Sequence, residues 1–95
     1  MKDYGPGNAP EHYEELTTEE RERMTLWIHE RLYPDDRVRA FNRLNSYGLK
    51  HLMERETDLY VTNGQFKGGM AAAGYEAFET DDINWEYQAR VRERK

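Results

Sequence analysis

Between Thr62 and Gly74 the chain carries both a start and a stop for one helix, and this bracket constrains the fold more than any other feature. Thr62-Asn63-Gly64-Gln65 is a capping box of the T-x-x-Q form, in which Thr62 and Gln65 satisfy each other's backbone N–H groups. Gly74 stands where a left-handed residue ends a helix, and Tyr75 can supply the hydrophobic contact that often accompanies that ending. Phe66, Met70 and Ala73 share one side of this helix, while Gly68, Gly69 and three alanines leave part of its surface without bulk. A face that bare is either a seam against another element or a contact surface for a partner.

Two further helices are marked by similar punctuation. Thr17 with Glu20 makes a T-x-x-E box, and Met24, Trp27, Ile28 and Leu32 follow at helical spacing, which predicts a helix over 18–32. Pro34 restricts Tyr33 and bars continuation. Asp35 or Asp36 then caps an expected second helix with Val38, Phe41 and Leu44 buried and Arg37, Arg39 and Arg43 in solvent. Ser46 is the expected cap of a segment over 47–56 with Leu49, Leu52 and Met53 inward. Gly48 lies early in that segment, where its cost in a helix suggests the close approach of another backbone.

The last third changes period. Ile83, Trp85, Tyr87, Ala89 and Val91 alternate with polar residues, the strongest strand signal in the chain. Tyr75 to Glu79 is the expected hairpin partner, with Thr80-Asp81-Asp82 as the turn, and Leu59 to Val61 is a candidate third strand. Residues 1–15 hold two prolines, two glycines and no periodicity, and read as a flexible arm. The expected architecture is therefore an arm over 1–15 and a single α+β domain over 16–95. Three or four helices pack on a C-terminal antiparallel hairpin or three-stranded sheet, in an arrangement close to a winged helix.

Composition bounds the chemistry. Charged residues make up 35% of the chain and apolar ones only 37%, yet twelve aromatics supply enough buried area for a small core. Cysteine is absent, which removes disulfides and thiolate chemistry and suits a reducing cytoplasm. The net charge of −5 is distributed in blocks: −6 over 1–36, +4 over 37–55, −6 over 56–89 and +3 over 90–95. This balance disfavours tight nonspecific nucleic-acid binding and suits a basic protein surface or imitation of a phosphate backbone.

No catalytic constellation emerges. His12, His29 and His51 are scattered, and His51 with Glu54 at i, i+3 is a pairing that charged helices produce by chance. Asp35-Asp36 and Asp81-Asp82 sit at expected turns, where aspartate serves the backbone. The glycine-rich run 63–69 lacks the G-x-x-x-x-G-K-[ST] pattern of a phosphate loop and does not follow a long strand. The chain reads as non-enzymatic, with no cofactor and no metal.

Two binding readings remain. In the first, Glu14, Glu15, Glu19, Asp81 and Asp82, with the bare surface at Gly68 and Gly69, meet a protein partner. In the second, residues 63–73 act as the recognition helix of a helix-turn-helix-like DNA regulator, with Gln65, Lys67, Arg90, Arg92 and Arg94 on the nucleic acid.

Tyr47-Gly48-Leu49-Lys50-His51, then Tyr60-Val61-Thr62-Asn63-Gly64-Gln65-Phe66-Lys67, Met70, Ala73-Gly74-Tyr75 and Asn84-Trp85 form an ordered set over about half the chain, residues 38–88. The set resembles short proteins of phages, plasmids and integrative elements. The resemblance implies a mobile-element accessory protein. Small acidic proteins of that origin often block host defence machines such as CRISPR effectors, frequently by occupying nucleic-acid surfaces. The resemblance assigns no site residues. No apolar run approaches the length of a membrane span, so a cytoplasmic monomer or homodimer acting on a host protein, with no membrane involvement, is expected.

Overall fold

The computed structural model describes residues 7–78, 80 and 82–93, and within them the fold is α+β. The elements in order are a 3-10 helix Pro10–Glu15, α1 Thr18–Arg31, β1 Leu32–Pro34, a second 3-10 helix Ala40–Asn42, β2 Leu44–Asn45, α2 Ser46–Thr57, α3 Asn63–Ala72, β3 Glu86–Tyr87 and β4 Ala89–Val91. Among the described residues no helix is long and apolar enough to cross a membrane.

The helix punctuation behaves as its chemistry dictates. Both capping boxes form reciprocally, Thr17 with Glu20 and Thr62 with Gln65. Gly74 takes φ +94°, and the Tyr75 N–H closes back on the Met70 carbonyl at 3.0 Å, the ending that a left-handed glycine permits. α2 differs by one residue at its start. Asn45, not Ser46, is the cap, its Oδ1 accepting from the Gly48 N–H at 2.7 Å. Ser46 is buried instead, and its N–H and Oγ hold the Trp85 carbonyl and N–H. Gly48 is exposed, and the nearest atom to an added Cβ would be the Asn45 Oδ1, so no other backbone approaches it.

Three expectations are corrected. The second helix does not form, although Val38 is buried as foreseen. The carbonyls of Asp36 and Val38, which an α-helix would use for the N–H groups four residues on, are taken by the Gln88 side chain at 3.3 and 3.0 Å. The Arg37 N–H goes to the Asp35 carboxylate at 3.0 Å. The chain tightens into one 3-10 turn, Phe41 stands 80% exposed, and Arg43 is the inward one. Its guanidinium lies 4.0 Å from the Phe78 ring centroid and 3.6 Å from the Glu86 carboxylate.

The C-terminal hairpin is replaced by longer-range pairing. The period-two stretch breaks at Gln88. β3 pairs antiparallel with β2, Leu44 opposite Tyr87, and β4 pairs antiparallel with β1, Tyr33 opposite Arg90. The Tyr75 to Phe78 stretch contributes a single bridge, Phe78 opposite Glu86. Both ladders therefore join the C-terminal segment to the first half of the chain. Leu59 to Val61 joins no ladder, although Leu59 and Val61 are buried. Its donors go to side chains, Leu59 N–H to Thr57 Oγ1 and Val61 N–H to Glu54 Oε2.

The third correction concerns residues 7–15, which pack rather than trail. The 3-10 helix Pro10–Glu15 lies along α3, and the Gly7 carbonyl accepts the Gly64 N–H at 2.8 Å. A Cβ on Gly64 would stand 2.2 Å from the Ala9 carbonyl oxygen, and one on Gly68 2.2 Å from Tyr13 Cβ. Behind this seam one core gathers Met24, Trp27, Ile28 and Leu32 of α1 and β1, Leu49 and Met53 of α2, Phe66 and Met70 of α3, and Tyr87 and Ala89 of the strands.

This geometry separates two glycine substitutions by urea denaturation. Gly68→Ala adds a methyl group against backbone and Tyr13, so it is expected to lose about 1–3 kcal/mol despite the better helix propensity of alanine. Gly48→Ala meets no such obstacle and is expected to gain about 0.5–1 kcal/mol. Equal midpoints for the two variants would contradict the seam.

Candidate functional site

α3 is the natural place to look for a site, and its own side chains close that option. Asn63, Gly64, Phe66, Lys67, Gly68, Gly69 and Met70 are all buried. Gly68 lies under Tyr13 and Pro10, and Gly69 under the Met24 thioether, so neither is a partner surface. The bare face is the seam. Lys67 is fully buried; its Nζ donates to the Asn8 carbonyl at 2.8 Å and lies 5.0 Å from the Trp85 ring centroid. Desolvation moves its pKa below the usual lysine value. Gln65 caps the helix and donates Nε2 to Glu15 at 3.2 Å. A recognition helix must offer long polar side chains to a groove, and α3 has none free to do so. Two of its N-terminal donors are also occupied, the Gly64 N–H by the Gly7 carbonyl and the Gln65 N–H by Thr62 Oγ1.

The acidic residues fall in two places. Glu14 and Glu15 end the first 3-10 helix and Glu19 opens α1, all exposed together with Glu11 and Glu22. The Glu15 carboxylate accepts from His12 Nδ1 at 2.8 Å, and that bond, with Gln65 assisting, holds its pKa below the ordinary value. Arg21 places one positive charge within this edge: Nη2 donates to the Glu14 carbonyl at 2.7 Å, and the guanidinium lies over Tyr13. Asp82 is exposed on a separate groove with Asn45, Ile83, Asn84 and Glu86. Both places are tied to the first turn of α3, Glu15 through Gln65 and the 83–84 loop through Asn63 Nδ2. Asp81 and Arg94 lie outside the described residues.

A second cluster escaped sequence reasoning. Asp35 is buried and holds two arginines at once. Arg37 donates Nε and Nη2 at 3.0 and 3.2 Å, and Arg90 donates Nε at 2.6 Å. The Arg37 hydrogen bonds first, then the Arg90 bond, hold the Asp35 carboxyl far below the usual carboxylate range. Asp after Pro is so frequent a turn former that nothing in the local sequence distinguishes Asp35 from Asp36. The signal lies fifty-five residues away at Arg90 and needs β4 paired to β1. Arg92, on the same strand end, has its guanidinium 4.9 Å from the Tyr33 ring centroid.

Elsewhere the charged groups are structural. Arg31 and Glu56 form a nearly buried bidentate pair at 2.9 and 3.1 Å, joined by the Trp27 indole N–H at 2.8 Å. Glu54 binds Lys50 at 2.9 Å and the Val61 N–H at 3.2 Å. Among the described residues no group of three or more His, Cys, Asp or Glu could hold a metal ion. A cavity of about 620 Å³ opens between the end of α1, β1 and the Gly74 turn, with His29, Tyr33, Tyr75 and Arg92 in its wall. No family model, curated protein or solved structure matches the chain.

The Asp35 cluster sets a pH dependence. A carboxyl with a depressed native pKa contributes stability that is complete above its unfolded value, about 3.9, and is lost as pH falls toward the native value. Thermal midpoints followed from about pH 7 to about pH 2 should fall more steeply for the wild type than for Asp35→Asn, which is the less stable protein at neutral pH. Parallel profiles would show that Asp35 is not the titrating group.

Proposed function

We propose that this chain is a non-enzymatic binding protein whose acidic edge, formed by Glu14, Glu15 and Glu19, docks on a basic surface of a host protein. The observation that carries the reading is the placement of these carboxylates on ordered backbone. The 3-10 helix is seated on α3, and the α1 start is fixed by the Thr17–Glu20 box. Charges held in place lose little conformational entropy on docking, which makes a preorganised patch a better ligand than the same residues on a loose arm. Asp82 offers a further carboxylate on its separate groove.

A basic channel that handles nucleic acid is the complementary target. Carboxylates entering such a channel replace phosphates and exclude the nucleic acid by charge and by volume. With the mobile-element context that the sequence resemblance implies, the fitting partner is a host defence protein in the cytoplasm. The action is that of an anti-CRISPR-like inhibitor working as monomer or homodimer.

Capture from host lysate, with and without nuclease treatment, identifies the partner. The mechanism is then tested by Glu14→Lys, Glu15→Lys and Glu19→Lys combined. The triple variant should keep the wild-type melting profile and associate at least about tenfold more slowly at low salt. Unchanged association and unchanged inhibition would refute the acidic edge as the docking surface.

A further inference from the structure

A groove runs between the 38–44 loop and β4, walled by Tyr33, Val38, Asn42, Leu44, Arg90 and Arg92. Arg90 and Arg92 stand in its wall with Glu93 beside them, and the Asp35 carboxylate joins Arg37 to Arg90 next to it. The Arg37 side chain is 83% exposed and that of Arg90 50%. Asp35 takes Nε and Nη2 of Arg37 and Nε of Arg90, so both are fixed in direction while their remaining Nη donors have no protein partner among the described residues. Arg39 is exposed on the loop, and the exposed Arg92 lies over Tyr33. Two residues beyond Arg39, Phe41 stands 80% exposed on its 3-10 turn, the most exposed of the large hydrophobic side chains.

We infer that this face binds single-stranded nucleic acid, with Arg37, Arg39, Arg90 and Arg92 on phosphates and Phe41 as a stacking platform for a base. The inference is independent of the acidic edge, which uses other residues. Sequence-tolerant single-strand binders combine a basic groove with aromatic rings. Duplex DNA needs an element that enters a groove, and no helix presents itself here. An acidic peptide would satisfy the arginines but leaves Phe41 without a role, whereas every base has a face to stack. The carboxylates near the groove are few: Asp35 is buried and already paired, and Asp36 and Glu93 are exposed. The overall charge of −5 therefore allows a local anion site but keeps its affinity modest.

The test is fluorescence anisotropy of the full chain with labelled oligo-dT and oligo-U of about 12 nucleotides. A duplex of equal length and a poly-glutamate peptide serve as competitors for the assignment. Saturable binding to the single strands is expected, weakening between about 50 and about 200 mM salt with a log–log slope of about −2.8 for four phosphate contacts. Phe41→Ala should weaken binding about fivefold or more and leave that slope unchanged. The pair Arg39→Ala with Arg92→Ala should flatten the slope by about 1.4. All three side chains are exposed, so the variants should melt as the wild type does. No saturable binding at low salt, equal binding of duplex, preference for poly-glutamate, or an inert Phe41→Ala would each overturn the inference.

Discussion

The fit of the 3-10 helix Pro10–Glu15 into the glycine face of α3 is the contact on which the rest depends. Backbone meets backbone there: the Ala9 carbonyl sits where a Gly64 Cβ would be, and Tyr13 sits where a Gly68 Cβ would be. A helix covered so closely on one side has only its opposite side for the core, and Phe66 and Met70 turn that way, against Trp27 and Met24. The position of α1 follows, because its first turn is continuous with the seated segment. Lys67, enclosed between the Asn8 carbonyl and the Trp85 ring, ties the 84–85 loop to the same seam. Burying a charged group this deeply is costly unless it is well held, so the seam must form with its polar partners in place.

From the seam outward, charge is sorted by the fold. The seated segment and α1 bring glutamates to one edge. The 36–43 loop and β4 bring arginines to another face, where Asp35 organises them. Among the described residues each buried carboxylate is committed to a cation, Asp35 to Arg37 and Arg90, Glu54 to Lys50. The accessible charge is thus divided between an acidic edge and a guanidinium-rich face with an exposed ring, the two surfaces on which the proposed interactions rest.

Much of the fold was legible. Thr17 with Glu20, Thr62 with Gln65 and Gly74 act within four or five residues, and local hydrogen bonds decide them whatever the chain does elsewhere. The apolar positions of α1 and α2 also followed from spacing. The site was far less legible. Gly68, Gly69 and Lys67 resemble a surface when read in order, and only the arrival of residues 8–13 over Gly68 and Lys67 and of Met24 over Gly69 makes them interior. Phe41 reads as a core position of a helix, and it is exposed because Gln88 takes the carbonyls that such a helix needs.

The sequence by itself determined where α1 and α3 begin, where α3 ends, the apolar stripes of α1 and α2, and the acidic character of the Glu11 to Glu22 stretch. Each of these rests on interactions between residues a few positions apart. The tertiary structure alone decided which strands pair and which charges meet. It also decided which side of α3 is covered. Leu44 opposite Tyr87, Tyr33 opposite Arg90 and the Asp35–Arg90 pair join residues more than forty positions apart. Alternating apolar residues fix only that a strand has an inner face. The choice of partner is made by packing after the chain has closed on itself, and no local pattern encodes it.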